Sequence, residues 1–353
     1  MNIRIANLKN VLNENEIDGI IINNPINVRY LTGLNVEGFL IINDSENIFV
    51  TDSRYIEEVN NYLTIEDEIN LVDIASLNEN DYLNFFSKCN KVGFEENYVS
   101  YAKYNEMIRK YRIKEAVETN NILENIREIK DDFEIECIEK ACNITDSCFL
   151  HLQDFIKVGM KEKEVALEIY KYFMSNGAEG LAFDTIVASG ENTSKPHAVP
   201  TDKIIRYGDP VLIDFGAKYN GYCADMTRTV FMGEVSEEIR TLYDIVYKEQ
   251  DKAFEKMKDG ADANNISKSL QNNFNSYGYD LIHALGHGVG LEIHEKPIIS
   301  TRRSDILKKN MVVTDEPGIY LTGKIGIRIE DTILINDTDA TRLTKSNRNL
   351  LVL

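Results

Sequence analysis

The chain has 353 residues, with 39 lysines and arginines against 58 aspartates and glutamates, giving a formal net charge of −19. That length suggests two domains rather than one core, and 43% hydrophobic with 27% charged residues describes a globular protein. So acidic a surface repels phosphate backbones and anionic lipids, which argues against nucleic-acid or membrane partners, and no run approaches the ~20 apolar residues of a membrane span.

The opening MNIRIANLKNVLNENEIDG is polar and amphipathic, without a signal-peptide core, so a cytoplasmic location is expected. Up to residue 122, short apolar runs alternate with helical patterns. GIIINN, GFLIIND and NIFVTD read as strands; SRYIEEVNNYL and SYAKYNEMIRKY read as helices. This region is expected to be an α/β domain. It has no G-x-x-x-x-G-K-[ST] loop and few glycines, so a phosphate cradle finds no support.

A second domain is expected over 123–353. Asp131 and Glu134 have capping-box spacing, and Ile135, Ile138, Cys142, Phe149, Leu152 and Phe155 follow with helical periodicity. Cys137, Cys142 and Cys148 lack the two-residue gaps of a zinc ribbon and read as reduced core thiols on that helix. A second helix, Lys161 to Ser175, stops at Asn176-Gly177. A strand, FDTIVASG, and a hairpin, PVLIDFGAKYNGYCADMTRTVF, complete the unit. The same order then recurs: a helix from Ser236 to Met257, another over NNISKSLQNNFNSYG, the stretch HALGHGVGLEIHEKP, and two strands in MVVTDEPGIYLTGKIGIRIEDTILI. Asp131 and Ser236 lie 105 positions apart, as do Asp225 and Glu330. A duplicated helix–helix–strand–hairpin unit is therefore expected, its two curved halves facing across a cleft.

The chain has five histidines, and His283, His287 and His294 fall within twelve residues, among Gly286, Gly288 and Gly290. Those glycines would let backbones approach a crowded site. If Asn220-Gly221 forms a two-residue turn, Tyr219 faces Tyr222 and Asp214 faces Thr227. Asp225 then shares a face with Thr227, diagonal to Asp214 and within reach of a shared ion. Two carboxylates in a buried sheet repel each other, and a cation removes the conflict. Glu316 and Glu330 supply the matching pair from the second half, and His287 adds an imidazole. Five such ligands suit two divalent ions, and their oxygen-rich chemistry favours a hard ion such as Mn²⁺, with Co²⁺ or Zn²⁺ as alternatives.

In LIDFGAKYNGYCADMTRT, GHGVGLEIHE, TDEPGIY and GIRIEDT, with NVRYLTG and TDSRY ahead of them, the sequence resembles the creatinase/methionine-aminopeptidase family, the pita-bread fold, and within it the Xaa-Pro peptidases. The resemblance implies a small N-terminal α/β domain, a pseudo-twofold α+β metallopeptidase domain, a homodimer, and proline-containing peptides as substrates. It implies that Asp214 holds one metal, His287 and Glu316 the other, with Asp225 and Glu330 bridging. It places His197 beside the scissile bond, His294 on the substrate carbonyl, and His283 and Arg328 around the proline-side pocket, and it makes Glu316 the proton acceptor in attack by a metal-bridged hydroxide. No lid or carboxylate clamp stands out in the N-terminal region, so aminopeptidase P activity is the expected form, with Xaa-Pro dipeptidase as the alternative. Methionine aminopeptidase and a metal-free peptide-binding relative are the more distant readings; the full ligand set argues against the latter.

Three residues are left open. Cys223 shares strand parity with Asp225 and could face the site. Asp315, beside Glu316, should point away from it, either unremarkable or paired with a base. His151 sits on a helix without a foreseeable partner and is expected at the surface.

Overall fold

The computed structural model describes residues 2–353 (for Glu66, the backbone). The chain divides into two compact units, residues 1–126 and 127–353.

The first unit is built on one six-stranded mixed sheet. Its order is Asn70–Asp73, Asn47–Thr51, Gly38–Asn43, Gly19–Ile22, Lys91–Phe94 and Glu115–Glu118. The three foreseen strands form its middle, paired antiparallel as Ile21↔Ile41 and Ile41↔Ile48. Their near-continuous apolar runs fit burial on both faces: Ile20, Ile22, Leu40 and Ile42 on one face and Ile21 and Ile41 on the other are all inaccessible or nearly so. The outer strands join in parallel. The helix Tyr101–Tyr111 starts where Ser100 accepts from the Lys103 amide, and it buries Met107 and Tyr111. Tyr111 meets Phe86 edge to face, with ring centroids 5.7 Å apart.

The second unit repeats one plan twice. Asp131 caps the helix Asp132–Phe155 through a capping box with Glu134, and Glu162–Ser175 follows, stopping at Asn176. The strands Ile186–Ser189, Pro210–Phe215 and Met226–Phe231 then pair antiparallel in that order. In the second half the helices Glu237–Phe254 and Ala263–Ser276 lead to Gly286–Gly288, Val312–Asp315 and Asp331–Ile335, again antiparallel in order. Each set of strands packs against its own helices in a separate apolar core. The cysteines 137, 142 and 148 are buried free thiols on the first helix.

Two details differ from expectation. The closing stretch forms four strands, not two: Val312–Asp315, Gly318–Leu321, Ile325–Arg328 and Asp331–Ile335. Breaks fall at Glu316-Pro317, where proline cannot donate to a ladder, and at Ile329-Glu330. The first half has the same kind of break between Tyr222–Cys223 and Met226–Phe231, so Asp225 leaves the ladder as well. The helix foreseen to Met257 ends at Phe254.

Candidate metal centre

The hairpin of the first half sets the initial pair of carboxylates. Asn220 (φ 48°) and Gly221 (φ 85°) both lie in the left-handed region, the conformation of a two-residue turn whose twist matches its strands. Tyr219 pairs with Tyr222 and Asp214 with Thr227, as the turn requires. Asp225 is held at its break by Thr332 of the other half. The Asp225 amide donates to Thr332 Oγ1 at 3.1 Å, and that hydroxyl donates to the Asp225 carbonyl at 2.7 Å.

The second half brings three more groups to the same place. A Cβ on Gly286 would stand 2.0 Å from the Thr314 carbonyl oxygen, so only glycine lets the His287 strand approach the Glu316 strand this closely. The Thr314 hydroxyl accepts from the His287 amide at 3.1 Å and donates to Glu316 Oε1 at 3.4 Å. The Glu330 amide donates to the Thr227 carbonyl at 3.1 Å, and the Thr227 hydroxyl donates to Glu330 Oε2.

Ligand atoms of Asp225, His287 and Glu330 all lie within 4.8 Å of one another. His287 Nε2 stands 3.5 Å from both Asp225 Oδ2 and Glu316 Oε1. Asp214 joins through Arg328, whose Nη2 donates to Asp214 Oδ2, while Asp214 Oδ1 is buried without a hydrogen-bond partner. Arg328 is held in turn: Nε donates to Thr227 Oγ1 at 2.9 Å, and Nη1 to the Tyr320 hydroxyl at 2.7 Å and the Pro196 carbonyl at 3.3 Å.

Burial and mutual repulsion set the charge state of the cluster. Burial, then the charges of Glu330, Asp214 and Glu316, pushes the Asp225 carboxyl far above its usual range. Glu330 is raised in the same way by burial, Glu316 and Asp214. Burial lifts Glu316 to about 7, opposed by Arg328. Burial lowers His287 to about 4, with His294 adding to it. Its Nδ1 lies 3.1 Å from the Gly288 carbonyl, which can only accept, so Nδ1 carries the hydrogen and Nε2 faces the carboxylates with a bare lone pair. Crowded carboxylates, an unpartnered carboxylate oxygen and an aimed imidazole together fit divalent cations, with one charge-neutralising partner for all.

The remaining histidines are placed as follows. The His294 ring packs 4.4 Å from that of His287, and burial followed by His197 lowers its pKa. His283 Nδ1 donates to the Ala284 carbonyl at 2.7 Å, leaving Nε2 to accept from Tyr320 at 3.2 Å; burial and Arg328 lower it to about 4. His197 is exposed on the loop whose Pro196 carbonyl meets Arg328, and its charge acts on both His283 and His294. His151 lies apart, accompanied by Glu168 at 2.9 Å and stacked on Tyr172.

Cys223 faces away from the carboxylates: its thiol meets the Leu291 carbonyl, and burial pushes it up to about 12. Asp315 is fully buried opposite Asp331, and both its oxygens lack a hydrogen-bond partner. Burial raises it far above the carboxylate range, with Arg342 only opposing. Among the described residues no base forms an ion pair with it: Arg228 is drawn to Asp331, and Arg342 and Arg348 to Asp251.

The hydrogen-bonding role of the threonine hydroxyls was not foreseen from sequence, although Thr227 was placed opposite Asp214. Thr227, Thr314 and Thr332 each lie two positions from a candidate ligand (Asp225, Glu316, Glu330), and that spacing was the available signal. Tyr320 carried none.

Two family models match the chain: metallopeptidase family M24 over residues 136–337, and the creatinase/prolidase N-terminal domain over residues 4–129. The chain is 38% identical over 352 residues to the Xaa-Pro dipeptidase of Pyrococcus furiosus, covering 99% of each. Among solved structures it is similar to an Xaa-Pro dipeptidase from Bacillus anthracis (TM-score 0.94, 34% identity, 99% of each chain). It is also similar to an X-Pro aminopeptidase from Thermotoga maritima (TM-score 0.89, 33% identity, 96% of this chain and 98% of that one). The clustered carboxylates and imidazole, together with these matches, place the chain in metallopeptidase family M24, preceded by its creatinase/prolidase N-terminal domain.

Proposed function

We propose that this protein is a metal-dependent exopeptidase that hydrolyses Xaa-Pro bonds, acting on dipeptides. The observation that carries the chemistry is the convergence of Asp225, His287 and Glu330, with Glu316 against His287. The relatives named Xaa-Pro dipeptidase favour the dipeptide reading and reverse the order expected from sequence. Aminopeptidase P activity is the second reading, favoured by the likeness to the Thermotoga maritima X-Pro aminopeptidase.

Asp214, Asp225, His287, Glu316 and Glu330 would hold two divalent ions, most suitably Mn²⁺, with Co²⁺ or Zn²⁺ as substitutes. When bound, such ions supply an acidified water and a Lewis acid for the scissile carbonyl. Glu316, whose carboxylate stands 3.5 Å from His287 Nε2, is placed to take up the proton of the attacking water. A bond to proline has no N–H, and the departing nitrogen must receive a proton; Glu316 can return the one it took. His294 stabilises the carbonyl oxygen as it gains charge. His197, exposed at the mouth, positions the scissile bond, and His283 and Arg328 flank the proline side. Arg328 serves there while holding Asp214 in place. The protein is proposed to work in the cytoplasm as a homodimer.

The test is a pair of substrates, Xaa-Pro and Xaa-Pro-Yaa, with Mn²⁺, Co²⁺ and Zn²⁺ supplied separately. Hydrolysis of the dipeptide alone supports the leading reading. Release of the first residue from the tripeptide moves the assignment to aminopeptidase P. Inactivity on both with every metal overturns the proposal.

A further inference from the structure

An ion cluster that the chemistry above leaves unused lies beneath the histidine loop. Residues 289–294 form no strand, yet this segment carries His294. Glu295, its immediate neighbour, opens the strand Glu295–Ile299 with its side chain buried. Glu295 Oε1 accepts from the Glu292 amide at 3.0 Å and from Arg127 Nη2; Oε2 accepts from Lys130 Nζ at 3.2 Å. Arg127 Nη2 also reaches Glu292 Oε2 at 2.8 Å. The carboxylate fills the place a side chain on Gly290 would need, for a Cβ there would stand 2.5 Å from Glu295 Oε2. On the far side, the Cys223 amide donates to the Gly290 carbonyl at 2.8 Å. The loop is thus wrapped around one carboxylate and clamped by two cations from the start of the second unit.

The Arg127 and Lys130 side chains are 2% and 1% exposed, and Glu295 6%. Burying such charges costs desolvation that apolar packing would not incur. What the ions add over apolar packing is direction. Arg127 reaches two carboxylates three residues apart, which fixes the curvature of the segment and so where the backbone delivers His294.

We propose that Arg127, supported by Lys130, is a positioning residue for His294, acting through Glu295. The proposal rests on the reading of His294 as a substrate contact. The experiment is a double-mutant cycle on the Mn²⁺-loaded full chain: Arg127→Gln, His294→Ala and both together. It measures kcat and KM on the Xaa-Pro substrate that the wild type hydrolyses, and metal content on every variant. Arg127→Gln is expected to lower kcat/KM about 10–100-fold with metal content unchanged, in the range of losses seen when outer partners are removed. In the His294→Ala background the same substitution should change kcat/KM less than about twofold, since the residue it positions is gone. Arg127→Lys keeps the charge but not the place of Nη2, the nitrogen that meets both carboxylates. It should give a smaller loss that also vanishes without His294, and it carries the cycle if Arg127→Gln does not fold. Equal losses in both backgrounds, or metal lost from the Arg127 variants, overturn the proposal alone. A His294→Ala variant with wild-type kinetics overturns the reading of His294 and the proposal with it.

Discussion

The two halves of the second unit share a topology and differ in what stands behind their proposed ligands. In the first half, Asp214 lies within the strand Pro210–Phe215, and its neighbours Val211, Ile213 and Phe215 are inaccessible and packed on helices in an apolar core. In the second half, Glu316 and Glu330 stand at strand breaks, and a polar network lies behind them. There Asp331 accepts from Arg228 Nη2 at 2.7 Å and Thr344 Oγ1 at 2.9 Å, and Gln250 Nε2 donates to both Asp331 Oδ2 and the Asp315 carbonyl. A ligand inside a regular ladder is aimed by the ladder. A ligand at a break has lost those bonds, and other groups must supply its orientation. Buried hydrogen bonds supply it there, as Thr332 does for Asp225 at the break of the first half, whereas Asp214 relies on its ladder, its packing and the Arg328 clamp.

The largest effect should come from the broken-strand side. Glu316→Gln keeps the shape but cannot take up a proton, and turnover should fall about 10²–10⁴-fold. Metal content must be measured beside the rate, because Glu316 is also a proposed ligand. Asp225→Asn, which removes a charge facing both halves, should fall at least as far and lose metal as well. Wild-type turnover in either variant after metal repletion would remove that residue from the mechanism.

Removing the metal tests the halves together, since the proposed ligands come from both. Chelation should lower Tm by ~5–10 °C for each ion held at ~100 times its Kd, a loss of about 2.7 kcal/mol per ion at 2–4 °C per kcal/mol. The loss should grow from pH 6.5 to pH 8. In the metal-free chain Glu316 sits near 7, and Asp225 and Glu330 are raised as well. In that window the folded chain holds protons that the unfolded chain has released, so its stability falls as pH rises. His283 and His287, lowered to about 4, act in the opposite sense, but only below about pH 6.5, where an unfolded histidine gains its proton. Thermal scans with and without chelator at the two pH values check this; a gap that narrows towards pH 8 would contradict it.

Much of this was legible because short-range rules governed it. The turn at Asn220-Gly221 fixed the register that faces Asp214 with Thr227, and a capping box marked Asp131. The 105-residue offset between Asp225 and Glu330 also signalled that one plan occurs twice. What stayed hidden depends on partners distant in sequence. Asp315 was expected to be unremarkable or to pair with a base, but its surroundings are set by arginines that turn elsewhere, Arg228 to Asp331 and Arg342 and Arg348 to Asp251. The closing stretch read as two strands although Pro317 already marked one break; the break at Glu330 shows only in the hydrogen bond of its amide to the distant Thr227 carbonyl, as the Glu316 amide bonds to that of Leu285.

The smallest effects separate the two kinds of support most cleanly. Gln250 is fully buried on the helix Glu237–Phe254, and its amide oxygen also accepts from Arg348 Nη1 at 2.9 Å. Gln250→Met keeps the volume but leaves those partners unmet, at a cost of about 1–3 kcal/mol in stability. Because Gln250 links the residues that follow Thr314 and Glu330, the strands bearing two ligands should lose definition, and metal affinity should fall about tenfold. Ile213→Val, behind Asp214 in the first half, removes one methylene and should cost about 0.5–1.5 kcal/mol, with metal affinity unchanged because the ladder still aims the aspartate. Chemical denaturation and metal titration on the two variants decide it. If Ile213→Val weakens metal binding as much as Gln250→Met, packing and hydrogen bonding support the ligands alike, and the contrast between the halves fails.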